Sequence, residues 1–141
     1  MSIYADSSFL VSIYVTDVHT PEVLRRLTQH PRLWFTPFHE VEISHAIARQ
    51  VFRGRMADAR ANRVYQELSR DCAAGVWALT GFPEATFTRG AALARTYAAK
   101  LGTRTLDSLH VAAALELKAE QFWTFDERQA KLAKAAGLKV S

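Results

Sequence analysis

Four acidic residues stand where chemistry would need them: Asp6 in YADSSFL, Glu42 in EVEISHAI, Asp107 in TLDSLH and Asp126 in WTFDERQA. They lie just past predicted strand ends or early in predicted helices, which brings the three aspartates to one edge of a small parallel sheet. Clustered carboxylates repel one another unless something neutralises them. The usual neutraliser is a hard divalent cation, Mg²⁺ or Mn²⁺, which prefers oxygen ligands. The chain carries 18 Lys and Arg against 14 Asp and Glu, a formal net charge of +4. An acidic pocket on a basic body implies metal-assisted attack on a phosphodiester. Thirteen of the basic residues are arginines, which grip phosphate through two parallel hydrogen bonds where lysine offers a point charge.

Each acid also has a plainer use. Asp6 can cap the helix that follows it, and Asp126 has Gln129 three residues on, the spacing of a capping box. Asp107 lies just inside a helix capped by Thr105, where any acid gains from the macrodipole. Capping and metal binding are compatible, because a carboxylate has two oxygens. Glu40 competes with Glu42: two residues apart on a helix, they point roughly 200° from each other. Glu42 shares its stripe with Ala46, Arg49 and Arg53, and Glu40 with Ser44, Ile47 and Val51. Spacing does not choose between them. Arg49 and Arg53 would continue the line from Glu42 as a basic wall against a phosphate backbone. Ser7 could hydrogen-bond a metal-bound water or a phosphate. His110, one turn after Asp107, reads as a packed, hydrogen-bonded core histidine, with approach to a metal as the alternative. Trp34, Trp77 and Trp123 sit in or beside strands and read as core.

The elements that must position these residues alternate. Strands are expected at 2–5, 32–35, 76–80, 121–125 and 138–140. Helices are expected at 7–15, from Thr20-Pro21, from Thr36-Pro37 to about Phe52, over 56–74, from Pro83 to Leu101, from Thr105 to Ala119, and over 127–136. Such alternation implies an α/β fold, a parallel sheet of four to five strands covered on both faces. Ligands then bind outside the carboxyl ends of the strands, where Asp6 and Asp126 stand.

The bulk numbers bound the class. A chain of 141 residues with 49% hydrophobic and 23% charged residues fits one globular domain spanning 1–141. No apolar run approaches the ~20 residues of a membrane span. MSIYADSSFL lacks the basic n-region of a signal peptide, and the single cysteine, Cys72, excludes an internal disulfide, so a cytoplasmic protein is expected. No GxGxxG or GxxxxGKS/T is present, which leaves a nucleotide cofactor unsupported.

These acids in these contexts resemble the PIN-domain nucleases, most closely the VapC-type toxins of toxin–antitoxin pairs. The resemblance spans essentially the whole chain. It rests on Ala5-Asp6-Ser7, on Thr36-Pro37 and the Glu-x-x-x-Ala pattern at Glu42–Ile47, on Leu106-Asp107-Ser108-Leu109-His110-Val111-Ala112, and on Thr124-Phe125-Asp126. It implies a three-layer α/β/α PIN-like fold with an acidic quartet at Asp6, Glu42, Asp107 and Asp126, choosing Glu42 over Glu40 and placing Thr124 beside the last acid. It further implies a Mg²⁺- or Mn²⁺-dependent endoribonuclease, a homodimer, and a VapB-like antitoxin whose C-terminal segment fills the active-site groove. A haloacid-dehalogenase-type domain would need Asp-x-Asp where this chain has Asp6-Ser7-Ser8. A receiver-type domain would need paired acids at the first strand. A non-toxin PIN nuclease of RNA processing, or a non-catalytic RNA- or protein-binding module, is the alternative; the latter would have no need of the quartet.

Overall fold

The computed structural model describes all 141 residues. Four parallel strands, β1 (Ser2–Ala5), β2 (Arg32–Phe35), β3 (Ala78–Leu79) and β4 (Gln121–Trp123), form one sheet in the order β3-β2-β1-β4. The helices are α1 (Ser7–Tyr14), α2 (Thr20–Leu27), α3 (Pro37–Phe52), α4 (Asp58–Ala73), α5 (Thr86–Leu93), α6 (Ala99–Leu101), α7 (Thr105–Glu116) and α8 (Glu127–Ala135), with one π-helical stretch at Ala94–Ala98 joining α5 to α6. None is long and apolar enough to cross a membrane.

Successive strand residues face opposite sides, and the chain uses both. Ile3, Ala5 and Trp123 pack with Phe9, Leu10, Val23, Ile43 and Ile47 against α1–α4. Tyr4 and Phe122 pack with Leu93, Val111 and Leu132 against α5, α7 and α8. The result is helices on both faces of a sheet, as the alternation predicts. The chain passes outward from β1 to β2 to β3, then returns to lay β4 on the other side of β1. That reversal puts a crevice beyond the carboxyl ends of β1 and β4.

Several boundaries differ from the sequence expectation, each for a local reason. The fourth strand stops at Trp123, not Phe125, because its partner β1 ends at Ala5, where the chain turns into α1. The third shrinks from 76–80 to Ala78–Leu79, the only residues with Trp34 and Phe35 beside them. The expected strand 138–140 is a single parallel bridge, Phe122 to Val140. The helix expected from Pro83 begins at Thr86, and the one expected over 56–74 begins at Asp58. Thr105 is the first helical residue of α7, not its cap. The capping is done in reverse: Asp107 accepts the Arg104 backbone N–H at 2.8 Å.

Candidate metal centre

Each acid is delivered to the crevice by its own element. Asp6 follows β1 and caps α1, accepting the Phe9 N–H at 2.8 Å. Asp126 follows β4 and caps α8, accepting the Gln129 N–H at 2.8 Å. Glu42 lies on α3 and Asp107 in the first turn of α7. All four line one cleft of about 190 Å³, together with Ser7, Ser8, Arg104, Leu106, His110 and Gln129. Glu40 faces elsewhere, into a separate cleft of about 490 Å³ beside Ser44, Tyr65 and Cys72. The fold thus separates two glutamates that spacing leaves equivalent.

Thr124 ties two of the aspartates together. Its hydroxyl donates to Asp6 Oδ2 at 2.6 Å and accepts the Asp126 N–H at 3.0 Å. Ser7 Oγ donates to Glu42 Oε1 at 2.8 Å. Both hydroxyls are buried and engaged with site carboxylates, Thr124 with Asp6 and Ser7 with Glu42, so both organise the acids. Burial raises the Asp6 carboxyl above its ordinary value, against the Thr124 and Phe9 hydrogen bonds that lower it. Burial also pushes Glu42 up, but hydrogen bonds from His110 and Ser7 outweigh it and leave Glu42 lowered. His110 is therefore both buried core and site neighbour: its Nε2 bonds Glu42 Oε1.

Two further residues belong to the cleft and escaped the sequence reading. Arg104 Nε lies 3.6 Å from Asp107 Oδ2, and its Nη2 lies 3.9 Å from Asp126 Oδ2. With its side chain 68% exposed, this is a loose pairing that water screens and that contributes little stability. Gln129 donates weakly from Nε2 to Asp107 Oδ1 at 3.4 Å, while its Oε1 is buried without a partner. The available signals were the i, i+3 spacing of Arg104 to Asp107 and the capping-box position of Gln129.

The donor set has the chemistry of a hard cation site: four carboxylates and an orphaned amide oxygen around one small cleft. As the side chains stand, no three His, Cys, Asp or Glu residues converge as a ligand group. A cation would have to draw the carboxylates inward, displacing the Arg104 guanidinium that now offsets part of their charge. Glu42 and Asp126 are partly exposed and have room to move. The donors fit the ion; their present spacing is that of an open set.

A wider groove of about 640 Å³ continues from the acids along α3, lined by Ser8, Asp17, His45, Arg49, Arg104 and apolar neighbours. Arg49 stands in it. Arg53 does not: it is exposed at the C-cap of α3, beyond the end of the groove. The stripe is real, but it runs past the cleft before it reaches Arg53.

Comparison with known proteins agrees with this architecture. The family model of the PIN domain matches residues 3–135. No curated protein matches by sequence. Among solved structures, FitAcB from Neisseria gonorrhoeae is similar at 17% identity and TM-score 0.74, covering 98% of this chain and 95% of that one. VapBC2 from Rickettsia felis, bound to a DNA fragment from their promoter, is similar at 13% identity and TM-score 0.68, covering 100% and 98%. VapC20 of Mycobacterium tuberculosis, a sarcin–ricin loop cleaving toxin, is similar at 14% identity and TM-score 0.69, covering 96% and 95%.

Proposed function

The chain belongs to the PIN domain family, and from that premise we propose that it is a Mg²⁺- or Mn²⁺-dependent endoribonuclease acting as the toxin of a toxin–antitoxin pair. The observation that carries the nuclease reading is the meeting of Asp6, Glu42, Asp107 and Asp126, from four separate elements, in one cleft at the reversal point of a parallel sheet. Similarity of the fold to VapC20, a sarcin–ricin loop cleaving toxin, supports RNA as substrate. Similarity to the VapBC2 and FitAcB structures supports an antitoxin as partner. The homodimer rests on the sequence resemblance alone.

In this reading the four carboxylates hold the ion, with Gln129 Oε1 as an additional oxygen. When bound, the cation supplies Lewis acidity and offsets the charge that grows on the phosphate during attack. Asp6, buried and held by Thr124, orients the attacking water in line with the leaving oxygen. Asp107, held by Gln129, shares that task. Arg104 turns from the acids to the phosphate, where a guanidinium makes paired hydrogen bonds. Arg49 binds the backbone farther along the groove.

The test is cleavage of a labelled RNA with Mn²⁺ or Mg²⁺ present, in excess chelator, and with Asp107→Asn. Cleavage is expected only with metal and wild-type protein. Cleavage that persists in chelator or in Asp107→Asn refutes the mechanism, and RNA binding without cleavage favours the non-catalytic module. The toxin assignment is tested separately by expressing the wild-type chain alone. Unimpaired growth with folded, cleavage-competent protein would leave the nuclease and remove the toxin.

A further inference from the structure

The acidic cleft is joined to the sheet core by a chain of side-chain hydrogen bonds. Tyr4 is fully buried in β1, on the face opposite Ile3 and Ala5. Its hydroxyl lies 2.9 Å from His110 Nδ1. Across the same ring, His110 Nε2 bonds Glu42 Oε1, which Ser7 Oγ also reaches at 2.8 Å. Side chains from α7 and α1 thus meet on one oxygen of the α3 carboxylate, with Tyr4 of β1 behind the first of them.

We propose that Tyr4 and His110 form a buried hydrogen-bond relay that aims the Glu42 carboxylate into the acidic cleft, making both of them positioning residues for the ion. The inference rests on the metal-binding reading above.

Hydrogen-bond accounting sets the direction of the relay. A carboxylate oxygen only accepts, so the ring donates from Nε2. A neutral ring then presents a lone pair at Nδ1, and Tyr4, whose hydroxyl has no other partner, donates to it. The opposite tautomer would set a lone pair against Glu42 and leave a buried hydroxyl hydrogen without an acceptor. The ring is also held in place, between Phe38 at 4.5 Å and His39 at 5.6 Å between centroids. With Oε1 engaged by two donors, no protein donor reaches Oε2, and that oxygen is left for a ligand. Packing alone would ask only for a flat ring at 110; the relay asks for a donor at Nε2.

The ring nitrogens report this directly. Long-range ¹H–¹⁵N spectra of the metal-free protein should show His110 as the Nε2–H tautomer with a hydrogen-bonded Nδ1. Tyr4→Phe, folded by circular dichroism, should move the Nδ1 shift towards that of a free acceptor. An Nδ1–H tautomer, or His110 shifts indifferent to Tyr4→Phe, overturns the relay. Mn²⁺ titration tests the positioning role. His110→Leu should loosen Mn²⁺ by about 10–100-fold, the range seen when outer-shell partners are lost. His110→Gln, whose amide can donate from near the Nε2 position, should recover most of that loss. If His110→Leu does not fold, Tyr4→Phe carries the comparison, with a loosening of a few-fold expected. Wild-type affinity in every folded variant overturns the positioning role. Wild-type protein that binds no Mn²⁺ overturns the metal reading and the positioning with it, whereas failure confined to the ring shifts overturns the relay alone.

Discussion

Asp6 shows how a single residue is placed under strain for use. It is 4% exposed, and burial of its charge disfavours ionisation more than the Thr124 and Phe9 hydrogen bonds relieve it. The sign follows: a carboxyl whose value is raised on folding stabilises the fold below its unfolded value and loses that contribution as pH rises through the folded one. Asp6→Asn keeps the shape and removes the buried charge. It should lower RNA cleavage by about 100-fold or more if Asp6 orients the water, and raise the neutral-pH melting temperature relative to wild type. Loss of activity together with loss of stability would show that the carboxylate is structural. Glu42 and Glu40 make a matched control. Glu42→Gln should abolish cleavage and weaken Mn²⁺ binding, and Glu40→Gln, facing the other cleft, should stay near wild type. The reverse ranking would place the metal elsewhere. Arg104 makes the opposite prediction to the acids: Arg104→Gln should tighten Mn²⁺, by removing a competing cation, while weakening RNA binding.

Among the elements, α3 depends on an unusual cap. The Thr36 hydroxyl accepts the His39 N–H, and His39 Nδ1 accepts the Thr36 N–H at 3.0 Å, a reciprocal capping box with histidine where Glu or Gln is usual. His39 Nε2–H donates to the Ala5 carbonyl at 2.9 Å, so the ring must stay neutral. Burial, with the neighbouring His110, holds it down at about 3 from 6.5. A base lowered on folding supports the fold above its unfolded value and loses that support as pH falls towards the folded one. Denaturant midpoints should therefore fall from about pH 6.5 downward, by up to ~1.4 kcal/mol per pH unit, and His39→Gln should flatten that limb. An identical pH profile in the variant would refute the assignment. Packing makes a second prediction. A Cβ on Gly90 of α5 would meet Leu109 Cδ2 at 3.4 Å and Ser108 O at 3.8 Å, so Gly90→Val should press on α7, cost about 1–3 kcal/mol and disturb Asp107. The helix caps at Asp6, Thr36 and Asp126 are legible in sequence because capping is local. So is strand–helix alternation, and with it the edge where the aspartates gather. Strand ends are not, because QFWTF keeps its strand character past the point where β1 stops offering a partner. Local spacing hints at Arg104 beside Asp107 and at Gln129 beside Asp126, but the contacts of Arg104 with Asp126, Gln129 with Asp107 and Tyr4 with His110 cross between elements, and no spacing within one element encodes them.

For the whole molecule, the proposed function gives the basic excess a geometric use. An acidic cleft repels RNA, and the groove leading from it places His45, Arg49 and Arg104 beside that repulsion. Arg49→Ala should weaken binding of all RNAs alike and lower the slope of log affinity against log salt by about 0.7–0.9, one phosphate contact. Arg53→Ala should leave both nearly unchanged, since Arg53 stands outside the groove. Equal effects of the two variants would mean that the RNA runs past the end of α3. The pairing of β1 with β4 bears on something else, the timing of activity. Thr124 and Asp6, whose hydrogen bond joins the two halves of the site, are 118 residues apart in sequence. A chain growing from its N-terminus has Asp6, Glu42 and Asp107 in hand before β4 exists to close the crevice. Domains generally fold as units, and this one cannot pair β1 with β4, or Thr124 with Asp6, until β4 has been made. Under the proposed function, a chain still without β4 has no assembled site with which to cut its own messenger.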